Sequence, residues 1–264
     1  MCLIIVSWMQ HPGASLLLTA NRDEFHARPS APLGFWEDRP DVLAGRDLQA
    51  GGTWIGVSRS GRFAAVTNVR DPAAARGSAP RSRGELTTDF LAGTRAPLDY
   101  LKDVAGQADD YQGFNLLLGD SLTLAYVNRD ENGVSTPRTL IPGIYGISNA
   151  SIDTPWPKLL AGKRELGALV SSQGAPPDHD ELRGCIRDRS LADSAALEDV
   201  GLRGEMARQL SAQFIVTPDY GTRCSTTIRR LTSGELEIEE RRYDQLGRTT
   251  GSDQFTLPAQ DMGA

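Results

Sequence analysis

The chain has 264 residues, long enough to bury a substantial core, and its 39% hydrophobic and 23% charged residues exclude a disordered or fibrous protein. A net charge of -6 offers no basic field to a polyanion, which excludes nucleic acid and an anionic membrane surface as the main partner and leaves a small molecule. No apolar run reaches the roughly 18 residues of a membrane span, and the cysteines at 2, 185 and 224 lie far apart, as expected of reduced thiols in a cytoplasmic protein.

Taken in order, Cys2–Trp8 and Ser15–Ala20 predict two strands joined by the turn-forming His11-Pro12-Gly13-Ala14. Such a hairpin returns the residues after Ala20 to the neighbourhood of Cys2. Residues 26–47 carry Pro29, Pro32 and Pro40 among charges and predict an extended surface loop at a functional rim. A second hairpin starts at Gly51-Gly52-Thr53-Trp54, turns at Ser60-Gly61 and ends at Asn68. An arginine-rich loop then leads to Ser82-Arg83-Gly84-Glu85, whose spacing is that of a helix-opening capping box, and a second helix is expected over 98–108. Strands return at Phe114–Leu118, Leu122–Asn128 and Gly143–Ser148, helices dominate 156–210, and strands close the chain at Gln213–Thr217, Cys224–Arg230 and Glu235–Tyr243. Strand blocks without regular βαβ alternation predict a layered α+β fold, with residues 1–264 as one domain.

The chemistry-bearing positions cluster in this frame. Cys2 is either a small buried hydrophobe of the first strand or a nucleophile exposed by removal of Met1. In the second case its α-amine, with a pKa near 7.7–8, takes the thiol proton and later supplies it to a leaving group. Asn21-Arg22-Asp23-Glu24 is either a solvated turn or, at the return of the hairpin, a source of site residues. Asp23 is suited to orienting the α-ammonium, and Arg22 or Arg28 to holding a thiolate or a substrate carboxylate. An amine and an arginine beside Cys2 are expected to lower its thiol pKa. Asn68 and Asn149 each close an apolar strand, where they either make turns or donate to an oxyanion. Arg223 stands at the entry of a strand, a position for binding a thiolate or carboxylate. Trp54, with Arg22 and Arg28, is a candidate substrate-binding residue.

Gly146-Ile-Ser-Asn-Ala150 lacks the last glycine of a nucleophile elbow, and no Walker loop, dinucleotide fingerprint or His-Glu-x-x-His motif occurs. With histidines only at 11, 26 and 179, a histidine-built metal site is not expected.

The stretches "MCLIIV", "LLLTANRDEFHARPSAPLGFW", "AGGTWIGVSRSGRFAAVTNVRD", "SRGELTTDFL", "YQGFNLLLGD", "PGIYGISNASIDTPWPK" and "YGTRCSTTI" together resemble the NRDE family, the transport and Golgi organisation proteins, across residues 1 to about 228. That family is in turn similar to N-terminal-nucleophile hydrolases of the penicillin V acylase and bile-salt hydrolase type. The resemblance implies a four-layer αββα sandwich with two antiparallel sheets. It also implies Cys2 as nucleophile, Asp23 as amine-orienting carboxylate, Asn149 as oxyanion or amine contact, Arg223 as the late-strand arginine and Asn68 as the mid-chain asparagine. Asn21-Arg22-Asp23 departs from the amidase order, in which an asparagine separates arginine from aspartate, so Arg22 has no assigned counterpart. Two functions follow from the resemblance. One is hydrolysis of an amide or related acyl bond, with no required cofactor. The other is non-catalytic binding or trafficking of haem or an acyl lipid in the same cleft, with Cys2 or His26 as an axial ligand of the haem.

Overall fold

A computed structural model describes residues 2–69, 79–172 and 174–259. Met1 and most of the arginine-rich loop, residues 70–78, lie outside the described residues. Among the described residues fourteen strands form two antiparallel sheets. The first has the order β11 (Gly143–Ile147), β1 (Cys2–His11), β2 (Ala14–Phe25), β12 (Tyr220–Leu231), β13 (Leu236–Tyr243), β14 (Thr249–Leu257). The second runs β10 (Arg138–Thr139), β8 (Leu124–Asp130), β7 (Phe114–Gly119), β6 (Phe63–Asn68), β5 (Ile55–Ser58), β4 (Val42–Asp47), β3 (Ser30–Phe35), with β9 (Gly133–Val134) added on β8.

Period-2 alternation sorts the apolar residues into layers. In β1, Ile4, Val6 and Trp8 enter a core shared with Leu16, Leu18, Val57, Phe63 and Leu117, between the two sheets. Leu3 and Ile5 point the other way, onto α3 (Pro157–Val170) and α4 (His179–Gly184). On the outer face of the second sheet, Val66, Phe114, Leu116 and Leu118 pack against Leu86, Phe90 and Leu101 of α1 (Arg83–Ala92) and α2 (Pro97–Gly106). Helix, sheet, sheet and helix therefore stack with three apolar seams, the αββα sandwich that the family resemblance implies. Burying each such aliphatic or aromatic side chain contributes roughly 1.5–3 kcal/mol. Among the described residues no helix is long and apolar enough to cross a membrane.

The Ser82 and Glu85 capping box forms as the spacing predicts. Next to it the backbone of Gly84 meets that of Gly52: a Cβ on Gly52 would stand 2.5 Å from the Gly84 carbonyl carbon, and the Thr53 N–H donates to the Gly84 carbonyl at 3.4 Å. This side-chain-free seam fixes the first turn of α1 beside the entry to β5.

Two expectations need correction. Residues 26–47 are not one long loop, because they contain β3 and β4. Pro32 is tolerated since β3 is an edge strand whose register shifts between Ala31 and Gly34, where no ladder donor is needed from it. Residues 213–217 form no strand beyond one bridge from Val216 to Gly221, and the polar edge strand β14 follows where no strand was expected. The helices expected over 156–210 are one long helix, α3, followed by α4 and two five-residue helices, α5 (Ser194–Glu198) and α6 (Glu205–Gln209).

Candidate active site

The site lies at one end of the seam between the sheets. Cys2 is directly opposite Arg22, Arg22 opposite Cys224, and Cys224 opposite Arg242, so the four side chains form a row across β1, β2, β12 and β13. Directly opposed residues share a face. Ile4, two residues from Cys2, faces the inter-sheet core, and the row therefore points into the mouth of that core. A cavity of about 590 Å³ opens there, and Cys2, Asp23, Arg22, Arg28, Trp54, Asn68 and Arg223 all line it.

Asp23 comes one residue after Arg22 and sits opposite Thr222. Its Oδ1 accepts from the Thr222 hydroxyl at 2.7 Å and its carbonyl from the Tyr220 hydroxyl at 2.8 Å. Burial raises its carboxyl pKa, against the pull of Lys158, the Thr222 hydrogen bond and Arg22. Lys158, in the first turn of α3, is itself buried, with its Nζ donating to the Leu210 carbonyl at 3.1 Å. Burial lowers its pKa while Asp23 and Cys2 oppose that shift, so the lysine lies within electrostatic reach of both. Sequence spacing gives no sign of Lys158, because only the stacking of the helix layer on the sheet brings α3 to Asp23.

The register shift between Thr222 and Cys224 makes Arg223 the extra residue of a β-bulge, a device that re-aims a side chain. Its Nη1 donates to the carbonyls of Phe25 (2.9 Å), His26 (3.0 Å) and Arg28 (3.3 Å), tying β12 to the turn after β2. Arg28 is engaged with Asp47, Nη2 to Oδ2 at 2.7 Å, and Glu24 stands 3.8 Å from Arg22 and 3.9 Å from Arg28. His26 Nε2 lies 3.2 Å from the Thr217 carbonyl.

The two asparagines occupy different positions. Asn68 ends β6 with an exposed side chain on the cavity. Asn149 is buried, and its Nδ2 donates to the Asn68 carbonyl at 2.8 Å across the gap between the sheets. Ser148 beside it donates to the carbonyl of Cys2 at 2.8 Å and to Asn149 Oδ1 at 3.2 Å. Behind this strap, Asn115 Nδ2 donates to the carbonyls of Ser148 (3.3 Å) and Ala150 (2.9 Å), and its Oδ1 accepts from the Tyr126 hydroxyl at 2.6 Å. Asn149 thus holds the backbone around Asn68 and Cys2 without facing the cavity itself. Ser148, Asn115 and Tyr126 complete an arrangement that the sequence did not single out.

Burial raises the Cys2 thiol pKa, and Asp23 adds to the rise against Arg22. This is opposite to the sequence expectation, because desolvation outweighs the neighbouring arginine. Burial likewise pushes Cys185 up, to about 12, and Cys224 well above its ordinary value. Cys2 is half-buried on a cavity, whereas the other two are buried. Iodoacetamide is therefore expected to label Cys2 of the folded protein at least about tenfold faster than Cys185 or Cys224; equal labelling in a peptide map would make Cys2 an inert strand residue.

The sequence matches the family described as Transport and Golgi organisation 2 over residues 1–245. The chain belongs to that family. It is 36% identical to the Transport and Golgi organization protein 2 homologs of Bos taurus and Homo sapiens, over 261 and 262 residues, covering 91% of this chain and 92% of each of those proteins. The Transport and Golgi organization protein 2 of Drosophila melanogaster is 29% identical over 192 residues, 66% of either chain. Among solved structures, a conjugated bile acid hydrolase from Clostridium perfringens superposes with a TM-score of 0.56 at 9% identity, covering 97% of this chain and 92% of that one. A second variant of that enzyme gives 0.52 at 8% identity and 98% coverage of both chains. At such identity the likeness concerns the fold alone: this chain shares with these hydrolases the layered arrangement of two antiparallel sheets between helices.

Proposed function

We propose that this protein hydrolyses an amide or related acyl bond with Cys2 as an N-terminal nucleophile. The observation that carries this reading is the convergence of Cys2, Arg22, Asp23 and Asn68 on one cavity at the end of an inter-sheet seam. In the proposed reaction, removal of Met1 leaves the α-amine on Cys2. That amine takes the thiol proton, the sulfur attacks the acyl carbon, and the carbonyl electrons move onto oxygen. The amine then gives the proton to the leaving nitrogen as the C–N bond breaks, leaving a thioester that water hydrolyses to the free acid and the free thiol. Asn68 donates to the oxyanion, and Asn149 keeps it in place. Asp23 accepts from the α-ammonium and fixes its direction. Lys158 keeps Asp23 ionised against its burial.

The base exists only if the amine is free. Intact-protein mass after expression without a tag is expected to show the chain lacking Met1, and a mass retaining Met1 in a protein competent for its function would defeat this mechanism.

A further inference from the structure

Seven arginines line the cavity against four carboxylic residues, in a chain whose net charge is -6. Five of these guanidinium groups are already paired: Arg22 with Glu24 at 3.8 Å, Arg28 with Asp47 at 2.7 Å, Arg46 with Asp38 at 2.6 Å, Arg81 with Glu85 at 3.0 Å, and Arg242 with Asp253. Two are not. Arg83, at the start of α1, donates to the Gly113 carbonyl at 3.1 Å, and Arg223 spends its Nη1 on the three carbonyls after β2. Among the described residues neither makes an ion pair with a carboxylate; each is held in place by neutral acceptors, and Glu24 acts on Arg83 only from beyond contact distance. Burial lowers the Arg83 pKa, as expected of a guanidinium taken partly out of water, and a bound anion offsets that cost through charge-assisted, bidentate hydrogen bonds. The positive cavity in an acidic protein also concentrates anions at this one place.

We propose that the cavity takes an acyl substrate bearing an anionic group, a carboxylate or a phosphate, and that Arg83 and Arg223 hold that group while the acyl carbon faces Cys2. The choice of substrate rests on the amidohydrolase reading for the reacting bond, but the anion subsite stands on the cavity alone. Arg83 lies within electrostatic reach of Cys2, so an anion held there is delivered to the thiol.

Iodoacetate and iodoacetamide provide the test, since they are close in size, alkylate the same sulfur and differ in charge. The rate ratio of iodoacetate to iodoacetamide at Cys2, read by peptide mapping, is expected to exceed that of a free cysteine derivative about tenfold, and to fall by a similar factor in Arg83→Gln and further in the Arg83→Gln/Arg223→Gln pair. Arg83→Lys should keep most of the preference, and about 0.5 M NaCl should slow iodoacetate more than iodoacetamide in the unaltered protein. A wild-type ratio equal to the free cysteine value, or one that ignores both substitutions, overturns the proposal. If Arg83→Gln also loses its iodoacetamide reaction through misfolding, the salt response of the unaltered protein decides, and equal slowing of both reagents overturns it. Protection of Cys2 from iodoacetamide by inorganic phosphate but not acetate assigns the phosphate form, and the reverse assigns the carboxylate. Because alkylation needs no turnover, a retained iodoacetate preference with no acyl adduct from any amide would sink the hydrolase reading alone.

Discussion

Cys2→Ala is expected to abolish turnover, with a loss on the order of 10⁵–10⁶-fold, while leaving ligand binding within about threefold of the unaltered protein. The side chain lost is one sulfur atom on a half-buried wall, and the strand that carries it is held by pairing to β2 and β11, so the cavity keeps its shape. Cys2→Ser keeps a nucleophile of much weaker reactivity and should leave at most a trace of activity. The decisive measurement is mass spectrometry after exposure to a panel of acyl amides. An acyl adduct on Cys2 in the unaltered protein, absent from Cys2→Ala, establishes the covalent route. Absence of any adduct, together with haem spectra that change in both Cys2 variants, would instead favour a carrier that uses the thiol as a ligand.

Asn68→Ala is expected to lower kcat by about 10²–10³-fold with little change in KM, the signature of a donor lost from a developing oxyanion. Asn149→Ala should produce a loss of the same kind through a different cause. Its amide donates to the Asn68 carbonyl and does not line the cavity, so its removal lets Asn68 drift. The two effects should therefore be far from additive, with the double variant close to Asn68→Ala alone. Full additivity would mean that each asparagine acts separately on substrate. A Tyr126→Phe change, which deletes the hydroxyl donating to Asn115, should give a smaller loss in the same direction.

How much of this was legible beforehand follows from what a linear pattern encodes. The near-continuous apolar runs of Cys2–Trp8 and Phe63–Asn68 mark strands buried on both faces, and within each the layer a residue enters depends only on parity. The tight turn at residues 11–14 folds Arg22 back against Cys2, so the proximity of the Asn21–Glu24 segment was readable too. Strands β3 and β14 were not, since they lie at sheet edges where polar and proline residues are tolerated and apolar periodicity fades. The contribution of Lys158 and Arg83 depends on how separate layers stack, which no spacing within one element records. The same holds for Asn115, whose partners at 148 and 150 lie just after β11 of the opposite sheet. The thiol pKa was misread because a list of charged neighbours omits the cost of taking the sulfur out of water.

The meeting of Gly52 and Gly84 also bears on how such a cavity changes over evolution or by design. With backbone against backbone, there is no side chain at this seam whose size can be adjusted, and any substituent on Gly52 would lever the first turn of α1, with Arg83 at its head, away from β5. Variation is thereby channelled to short rim residues such as Ala50, Ala79 and Thr250, which can grow without moving the frame. A library aimed at a new ligand preference should hold the glycine pair constant and diversify those rim positions, treating the joint as the fixed point about which the pocket is retailored.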